Sequence, residues 1–490
     1  MKQVMIIYDD RKMPDRKIRS ITGEKSFGET ILKRVPLQER LQRVCMSAKN
    51  ARDFIILKGN DSVYKLNQEF TNGRNVGNAS VSDGCAVLYL YSNFGIRSEK
   101  ELHFLIQKAA YVDTVYTAKC GDALAAILFP DREAMLAAAD ECEERSVTAD
   151  QIDQDAFTDL SIQSNFLSYI TGGFDARFFN ALEGDEHTVT KRSTKKEKIK
   201  SEYKFYGMLP DSMKQWFVMP YDYKEDAKGA CYTMERIHTT DIAIRYVHGA
   251  VSVEELSDIL EQLFYFLKNR AVKKTDVKTA EKTAEESYVE KLCRRIEDLK
   301  KNPHYEEFDT MLRMGTSYDG IEQIVKKYES LYRQLRKEAY AKKGHQVSDK
   351  SLVIGHGDLC FSNILYSREA GLLKLIDPKG ALTEDEMYQD PYYDLAKLSH
   401  SVCGGYDFFN SGLYQVALGA DLKWQLSVDA DLSQNKEVFR EYLDRNGYDY
   451  RFVRICEAGL FLSMLPLHMD QPGKVFGFLL NAIAIMEELD

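Results

Sequence analysis

The chain has 490 residues, 44% hydrophobic and 29% charged, with a formal charge of −10. At roughly 150 residues per domain, that length holds about two to four compact cores. The acidic balance argues against a nucleic-acid binder that works by neutralising phosphates, leaving room only for a local basic patch, and nine scattered cysteines without a C-x-x-C pair argue against a disulfide framework or zinc site.

The cysteine pattern instead fits reduced thiols in a cytoplasmic protein. "MKQVMIIYDD" opens with an apolar run too short for a signal-peptide core, and it has the form of a first β-strand. Up to about Val147, apolar runs ("VMIIY", "DFIILKG", "CAVLYLYS", "AAILF") alternate with the amphipathic stretches "SEKELHFLIQKAAYV" and "DREAMLAAADECEE". This alternation predicts an α/β domain over 1–147 with a largely parallel sheet. "SVTADQIDQDAFTDLS" breaks the periodicity and marks a boundary there.

Residues 148–250 read as a small β-rich lobe. "FLSYITGG", "ARFFNAL" and "EHTVTKRS" are expected as strands, followed by a basic helix "KKEKIKSEYKFYGM" that Pro210 stops. "QWFVMPYDY" and "ACYTMERI" complete the sheet. Residues 251–490 turn helical. Ser252 and Glu255 form a capping box ahead of "SVEELSDILEQLFYFLK", whose Leu256, Ile259, Leu260, Leu263 and Leu267 share one face. "AVKKTDVKTAEKTAEES" reads as a solvated linker or exposed helix end. "AGLFLSMLPLHM" contains Pro466 and falls far short of the roughly 18 apolar residues a membrane span needs, so a buried helix is expected.

The chemistry concentrates in "VIGHGDLCFSNILYS", residues 353–367. Transfer of a γ-phosphoryl group needs a residue to orient the attacking hydroxyl, ligands for magnesium, a cation on the phosphates and a lid. Asp358 suits the first role. Asn363 follows after four residues, enough for a loop to reverse before "ILYS" begins a strand. "REAG" makes a tight turn and "LLKLIDP" returns as the second strand of a hairpin, ending in Asp377. Asn363 and Asp377 therefore converge as an oxygen pair suited to a hard cation. An Asx turn before an ordinary hairpin accounts for the turn residues but not for the combined spacing.

The stretch "HGDLCFSNILYS…LKLIDPKG…DPYYDLAKLSHS" resembles the aminoglycoside phosphotransferase and choline/ethanolamine kinase superfamily, from about Asn165 to the C-terminus and most specifically over 353–400. The resemblance implies an α+β, protein-kinase-like bilobal fold with a small β-rich N-lobe and a helical C-lobe, acting with ATP and Mg2+. It implies a catalytic base at Asp358, magnesium ligands at Asn363 and Asp377, and a loop braced by His356. Asp394, near the start of a helix, would hold the loop backbone; a helix N-terminal acid favoured by the dipole is the other reading. Lys191, on the third strand of the lobe, would be the phosphate lysine, as in the V-A-I-K arrangement. Its partner would be Glu202, since "EYKFYGMLP" is similar to the family's helix end, with Glu197 as the other candidate, unless the lysine-rich helix is only a solvated face. Gly172 and Gly173 would form a phosphate lid or a plain hairpin turn. "CYTMERIH" would join the lobes, with backbone from Glu235 to Ile237 meeting adenine and Met234 lining its pocket, or else it is a buried edge strand.

H-R-D, D-F-G and A-P-E are absent, and Gly357 stands where an arginine would serve phosphorylation control. A small-molecule acceptor is therefore expected. The phrase is most similar to a branch of the superfamily associated with capsule and surface-polysaccharide pathways, implying a sugar, polyol or amino alcohol as acceptor. Two rivals stand beside this kinase reading: a nucleotide-binding pseudokinase scaffold, and a bifunctional kinase and nucleotidyltransferase. The second arises because "VPLQERLQRVCMSAKNARDFIILKG" and "VLYLYSNFGI" resemble GT-A nucleotidyltransferases. The nucleotide loop of those enzymes is replaced here by "YDDRKMPDRKIRSITGE", and their acidic pair by Ser92 and Asn93, so a degenerate or binding-only domain is expected. Cys360 has no local histidine base and reads as loop filler. Tyr288, Lys291 and Arg295 line an anionic substrate pocket or lie on an exposed amphipathic helix. "CGGYDFF", residues 403–409, is a candidate substrate contact.

Overall fold

The computed structural model of the chain describes residues 2–64, 84–171, 180–185, 187–341 and 348–490. The chain divides into two compact units, Met1–Gly173 with His248–Ala250, and Phe174–Val247 with Val251–Asp490.

The first unit is built on a six-stranded sheet. Strand Val4–Asp10 lies parallel to both Ala51–Lys58 and Ala86–Tyr91. Val4–Asp10 and Ala86–Tyr91 are buried along their whole length, as strands covered on both faces must be. Helix Leu37–Met46 buries Leu41 and Val44, and helix Glu99–Ala109 buries Leu102, Leu105 and Ile106. The Ser98 side chain caps the second of these by accepting from the backbone N–H of Glu101. The sheet is mixed rather than largely parallel. Tyr116–Cys120 turns back at Gly121, φ +59, into Ala123–Phe129, and a tight turn can only join antiparallel strands. Ala123–Phe129 is also antiparallel to Ala86–Tyr91. Asp150–Gln151 adds a short parallel edge strand, and Phe157–Asp159 pairs with Phe94–Ile96. "FLSYITGG" was expected to be a strand, but Gln163–Thr171 is a helix. Its β-forming residues are overruled by packing, since Phe166 is buried with its ring 6.5 Å from Phe27.

The second unit begins with a four-stranded sheet in the order Asn180–Gly184, Thr188–Ser193, Gly229–Glu235, Pro220–Asp226. All its pairings are antiparallel. Helix Lys196–Met208 lies against it, packing Ile199 on Ala230 and Tyr232. Helix Val253–Lys268 carries the expected capping box, Ser252 accepting from Glu255 N–H, and buries all five residues of its apolar stripe. Each such side chain contributes at most about 1.5–3 kcal/mol. The charged stretch after it is ordered: Val272–Lys274 pairs with Ser351–Ile354, and Val277–Glu285 is a helix that buries Ala280 and Ala284. The helix agrees with the exposed-helix reading of this stretch, whereas the strand escaped it because its partner is distant in sequence. Strands Ile364–Ser367 and Leu372–Leu375 form the predicted hairpin. Helix Tyr450–Met464 is buried from Phe452 onward and ends at a turn containing Pro466. Among the described residues, no helix is long and apolar enough to cross a membrane.

Candidate functional site

The loop that leaves strand Ser351–Ile354 is held from behind by Asp394. Its carboxylate accepts from the backbone N–H of His356 at 3.0 Å and of Gly357 at 2.8 Å. Arg270 closes the arrangement, its guanidinium 3.1 Å from Asp394 and donating also to the carbonyl oxygens of Leu267 and Pro391. Asp394 is 0% exposed and Arg270 4%. Gly357 is required twice over: its φ is +78, and an added Cβ would lie 2.5 Å from the Lys379 Cβ.

His356 is buried and stacked on Phe217, ring centroids 5.8 Å apart. Its Nδ1 accepts from the backbone N–H of Asp358 at 3.2 Å, which leaves Nε2 to donate to the Ile376 carbonyl at 2.9 Å. Both ring nitrogens are thereby assigned, and burial pulls the imidazole below its ordinary pKa, so it stays neutral. It ties the loop before Asp358 to the strand before Asp377.

Asp358 points forward from this scaffold, with 44% of its side chain exposed, and its Oδ1 meets the Lys397 ammonium at 2.9 Å. Burial works against that ammonium, but Asp358 holds its pKa above the ordinary lysine range. Asn363, at the end of a single turn Phe361–Asn363, donates to the Asp358 carbonyl at 2.8 Å and to its carboxylate at 3.2 Å. The Asn363 carbonyl in turn accepts from Ile376 N–H at 3.0 Å. The hairpin register, Ile364 opposite Leu375, thus sets Asn363 close to the start of the Asp377 turn. Asp377 adopts a left-handed backbone, φ 55, which aspartate tolerates better than most side chains.

Lys191 joins Asp377 to the sheet. Its ammonium lies 2.9 Å from Asp377 Oδ1 and 2.7 Å from Glu202 Oε2, and it is 2% exposed. Burial would lower its pKa, but Asp377 and Glu202 raise it, so it is held charged. Strand alternation turns Lys191 toward helix Lys196–Met208, where Ile199, Glu202 and Phe205 recur at helical spacing on the inward face. Tyr232 donates to the same Glu202 oxygen at 3.1 Å. The choice between Glu197 and Glu202 therefore resolves to Glu202. Behind Asp377, Gly380 (φ +84) packs against the Glu202 backbone, and Ala381 N–H donates to Ser201 O at 3.1 Å.

The oxygen donors suit magnesium. Asp377 Oδ2 and Asn363 Oδ1 form no hydrogen bond among the described residues. No cage of three or more His, Cys, Asp or Glu side chains forms among those residues either. Magnesium is commonly held by one or two protein oxygens together with substrate phosphates.

Other expected residues distribute differently. Met234 lines a small cavity with Glu202, Phe205, Tyr232, Leu375 and Asp377. Glu235 closes its strand opposite Thr188, and Ile237 lies beyond it, accepting from Thr239 N–H at 2.8 Å. Gly172 and Gly173 lie outside the described residues. Cys360 is buried, and burial pushes its thiol far above the thiolate range, which fits filler rather than a nucleophile. Tyr288 is buried and donates to Asp390 at 3.2 Å, while Lys291 donates to Tyr393 at 2.9 Å. Asp407 of "CGGYDFF" is buried in helix Tyr406–Asn410. Sequence reasoning missed Lys397 and Arg270. Lys397 was legible, since it follows Tyr393 and Asp394 at helical spacing in "YYDLAKLSHS". Arg270 had no local signal.

No protein-family model matches the chain, and no curated protein matches it. Among solved structures, the chain is similar to a thermostable mutant of aminoglycoside phosphotransferase APH(4)-Ia in its apo form. That match has 11% identity and a TM-score of 0.36, and covers 66% of this chain and 98% of that one. It is also similar to aminoglycoside phosphotransferase APH(3'')-Id from Streptomyces rimosus in complex with ADP and streptomycin, at 14% identity and a TM-score of 0.32, covering 62% and 97%. A third is APH(2'')-IIa in a ternary complex with streptomycin and ATP, at 14% identity and a TM-score of 0.33, covering 67% and 96%. These scores are low, and the functional reading rests on the chain's own geometry.

Proposed function

We propose that the chain is an ATP- and magnesium-dependent phosphotransferase with a protein-kinase-like core that phosphorylates a hydroxyl of a small metabolite. The observation that carries this reading is the bridge from Lys191 to both Glu202 and Asp377, in the same unit as the loop where Asn363 clasps Asp358. An ion pair that ties a strand lysine to a helix glutamate and to the acid ending the hairpin has little value as bulk packing, but it presets a cation for phosphate oxygens.

In this reading Asp358 orients the acceptor hydroxyl and takes its proton as the oxygen attacks the γ-phosphorus. The P–O bond to ADP breaks as the new one forms. Lys397 and Asn363 hold the Asp358 carboxylate in one orientation, which supplies the positioning on which such transfers depend. Asn363 and Asp377 would hold magnesium, which when bound offsets the negative charge of the β- and γ-phosphates. Lys191 steadies the phosphates, and Asp394 with His356 keeps the loop in shape. Met234 and the backbone from Glu235 to Ile237 would meet the adenine. The resemblance to surface-polysaccharide enzymes supports a sugar, polyol or amino alcohol as acceptor, and 1–147 would serve as a binding domain.

The test is ADP formation across an acceptor panel, compared with Asp358→Asn. Loss of a positioned general base is expected to lower turnover by about 10²–10⁴-fold, with nucleotide binding retained by calorimetry. Undiminished turnover in the variant would sink the assignment. Tight ATP binding without product from any acceptor would favour the pseudokinase scaffold.

A further inference from the structure

Beside Asp358 lies a group of positive charges that phosphoryl transfer from ATP does not by itself require. Tyr393 and Lys397 stand four residues apart on helix Tyr393–Val402, hence on one face. Lys397 reaches Asp358 at 2.9 Å, and Lys291 donates to the Tyr393 hydroxyl at 2.9 Å. The Lys291 ammonium also sits 5.5 Å from the centre of the Tyr393 ring. Lys379 is anchored at the loop just before Asp358, its backbone N–H donating to His356 O at 2.8 Å and its side chain lying against Gly357.

The negative charges nearby are already engaged. Asp358 is paired with Lys397, and Asp390 is 3.6 Å from Arg336 and accepts from Tyr288. Lys291 and Lys379 have no carboxylate partner among the described residues. The surplus is felt at Tyr393: burial pushes its hydroxyl up, yet Lys291, Lys397 and Lys379 together bring it below the ordinary tyrosine range. A buried tyrosine shifted downward marks a strongly positive site.

The chain geometry around Lys291 is a second, independent sign. The residues before it, Glu286–Glu290, form a π-helical turn within an otherwise α-helical stretch. Such turns cost hydrogen-bond geometry and recur at functional sites. Here the turn buries Tyr288 and sends Lys291 to Tyr393.

We infer that the acceptor carries an anionic group, a phosphate or carboxylate near its reactive hydroxyl, held by Lys291, Lys379 and the Tyr393 hydroxyl beside Asp358. The inference rests on the kinase reading above and narrows it: a cationic amino alcohol would be repelled by Lys291 and Lys379. Lys397 neutralises Asp358, so that the anionic acceptor can approach the carboxylate that takes its proton.

The experiment separates the two levels. The full-length chain is first saturated with magnesium and AMP-PNP, so that the nucleotide site is filled; failure of AMP-PNP to bind would remove the kinase reading itself. Inorganic phosphate and glycerol 3-phosphate are then titrated in by calorimetry. Saturable binding is expected, weakened at least about tenfold in Lys291→Met and largely restored in Lys291→Arg. Absence of saturable binding, or equal binding by Lys291→Met, would overturn the anionic acceptor while leaving the kinase reading intact. In turnover assays, Lys291→Met is expected to raise KM for phosphorylated or carboxylated acceptors more than KM for ATP. A rise confined to ATP would assign the lysine to the nucleotide instead, and turnover with neutral or cationic acceptors alone would also overturn the proposal.

Discussion

Arg270 and Asp394, 124 residues apart in sequence, meet at 3.1 Å in the interior of the second unit. Asp394 is thereby surrounded by three donors, the guanidinium and the backbone N–H groups of His356 and Gly357. Asp394→Ala would leave Arg270 buried without its partner and both loop N–H groups unsatisfied. A loss of about 3–5 kcal/mol is expected. Urea unfolding monitored by circular dichroism measures it. Arg270→Met leaves Asp394 with its two backbone donors and should cost less.

The Lys191 bridge makes an unequal prediction for two glutamates on one helix. Glu202→Gln removes the buried partner of Lys191, and kcat/KM for ATP is expected to fall by about tenfold or more. Glu197→Gln should leave it unchanged. Lys191→Met is expected to fall further, by about 10²-fold, because the phosphates lose their cation. Steady-state kinetics with ATP varied will rank the three, and equal effects of the two glutamates would contradict the pairing.

Gly357→Ala tests the backbone of the loop. The left-handed conformation costs a side chain about 1–2 kcal/mol before any clash, and the new methyl would press on Lys379. The variant is expected to melt at lower temperature and to lose turnover while retaining ATP affinity. A variant with wild-type kcat would show that the loop accommodates the change.

Asp407 supplies a pH dependence. Burial raises its carboxyl to about 7, against the pull of the Ser401 hydroxyl. Nearby, Ser401 Oγ accepts from Phe361 N–H at 3.0 Å, at the loop that carries Asn363. Burial likewise raises Asp241 to about 7, and the neighbouring Asp407 charge adds to the effect. A carboxyl whose folded pKa exceeds its unfolded value near 3.9 binds its proton more tightly in the folded chain. Its stabilising share is full below that unfolded value and is lost as pH rises toward about 7. Asp407→Asn keeps the shape of the side chain and removes the titration. The variant should gain stability relative to wild type as pH rises from about 4 to about 7, by on the order of 3 kcal/mol. Thermal melts of both proteins across that range give the difference directly, and a flat difference would contradict the burial effect.

The sequence by itself determined whatever depends on neighbours within a few residues. The reversal from Asp358 to Asn363, the hairpin that returns to Asp377, the Ser252 cap and the stripe of helix Val253–Lys268 are short-range, and spacing alone specified them. The tertiary structure decided what depends on pairings across long separations. It selected Glu202 over Glu197, since both lie on the same basic helix and only burial against Tyr232 distinguishes them. It made a helix of Gln163–Thr171, where one phenylalanine's packing outweighed local β-propensity. It set Arg270 behind Asp394, and brought Lys291 to Tyr393 and Lys397 to Asp358. Local spacing carries no information about such partners, because a charge far along the chain becomes a neighbour only once the intervening helices have packed.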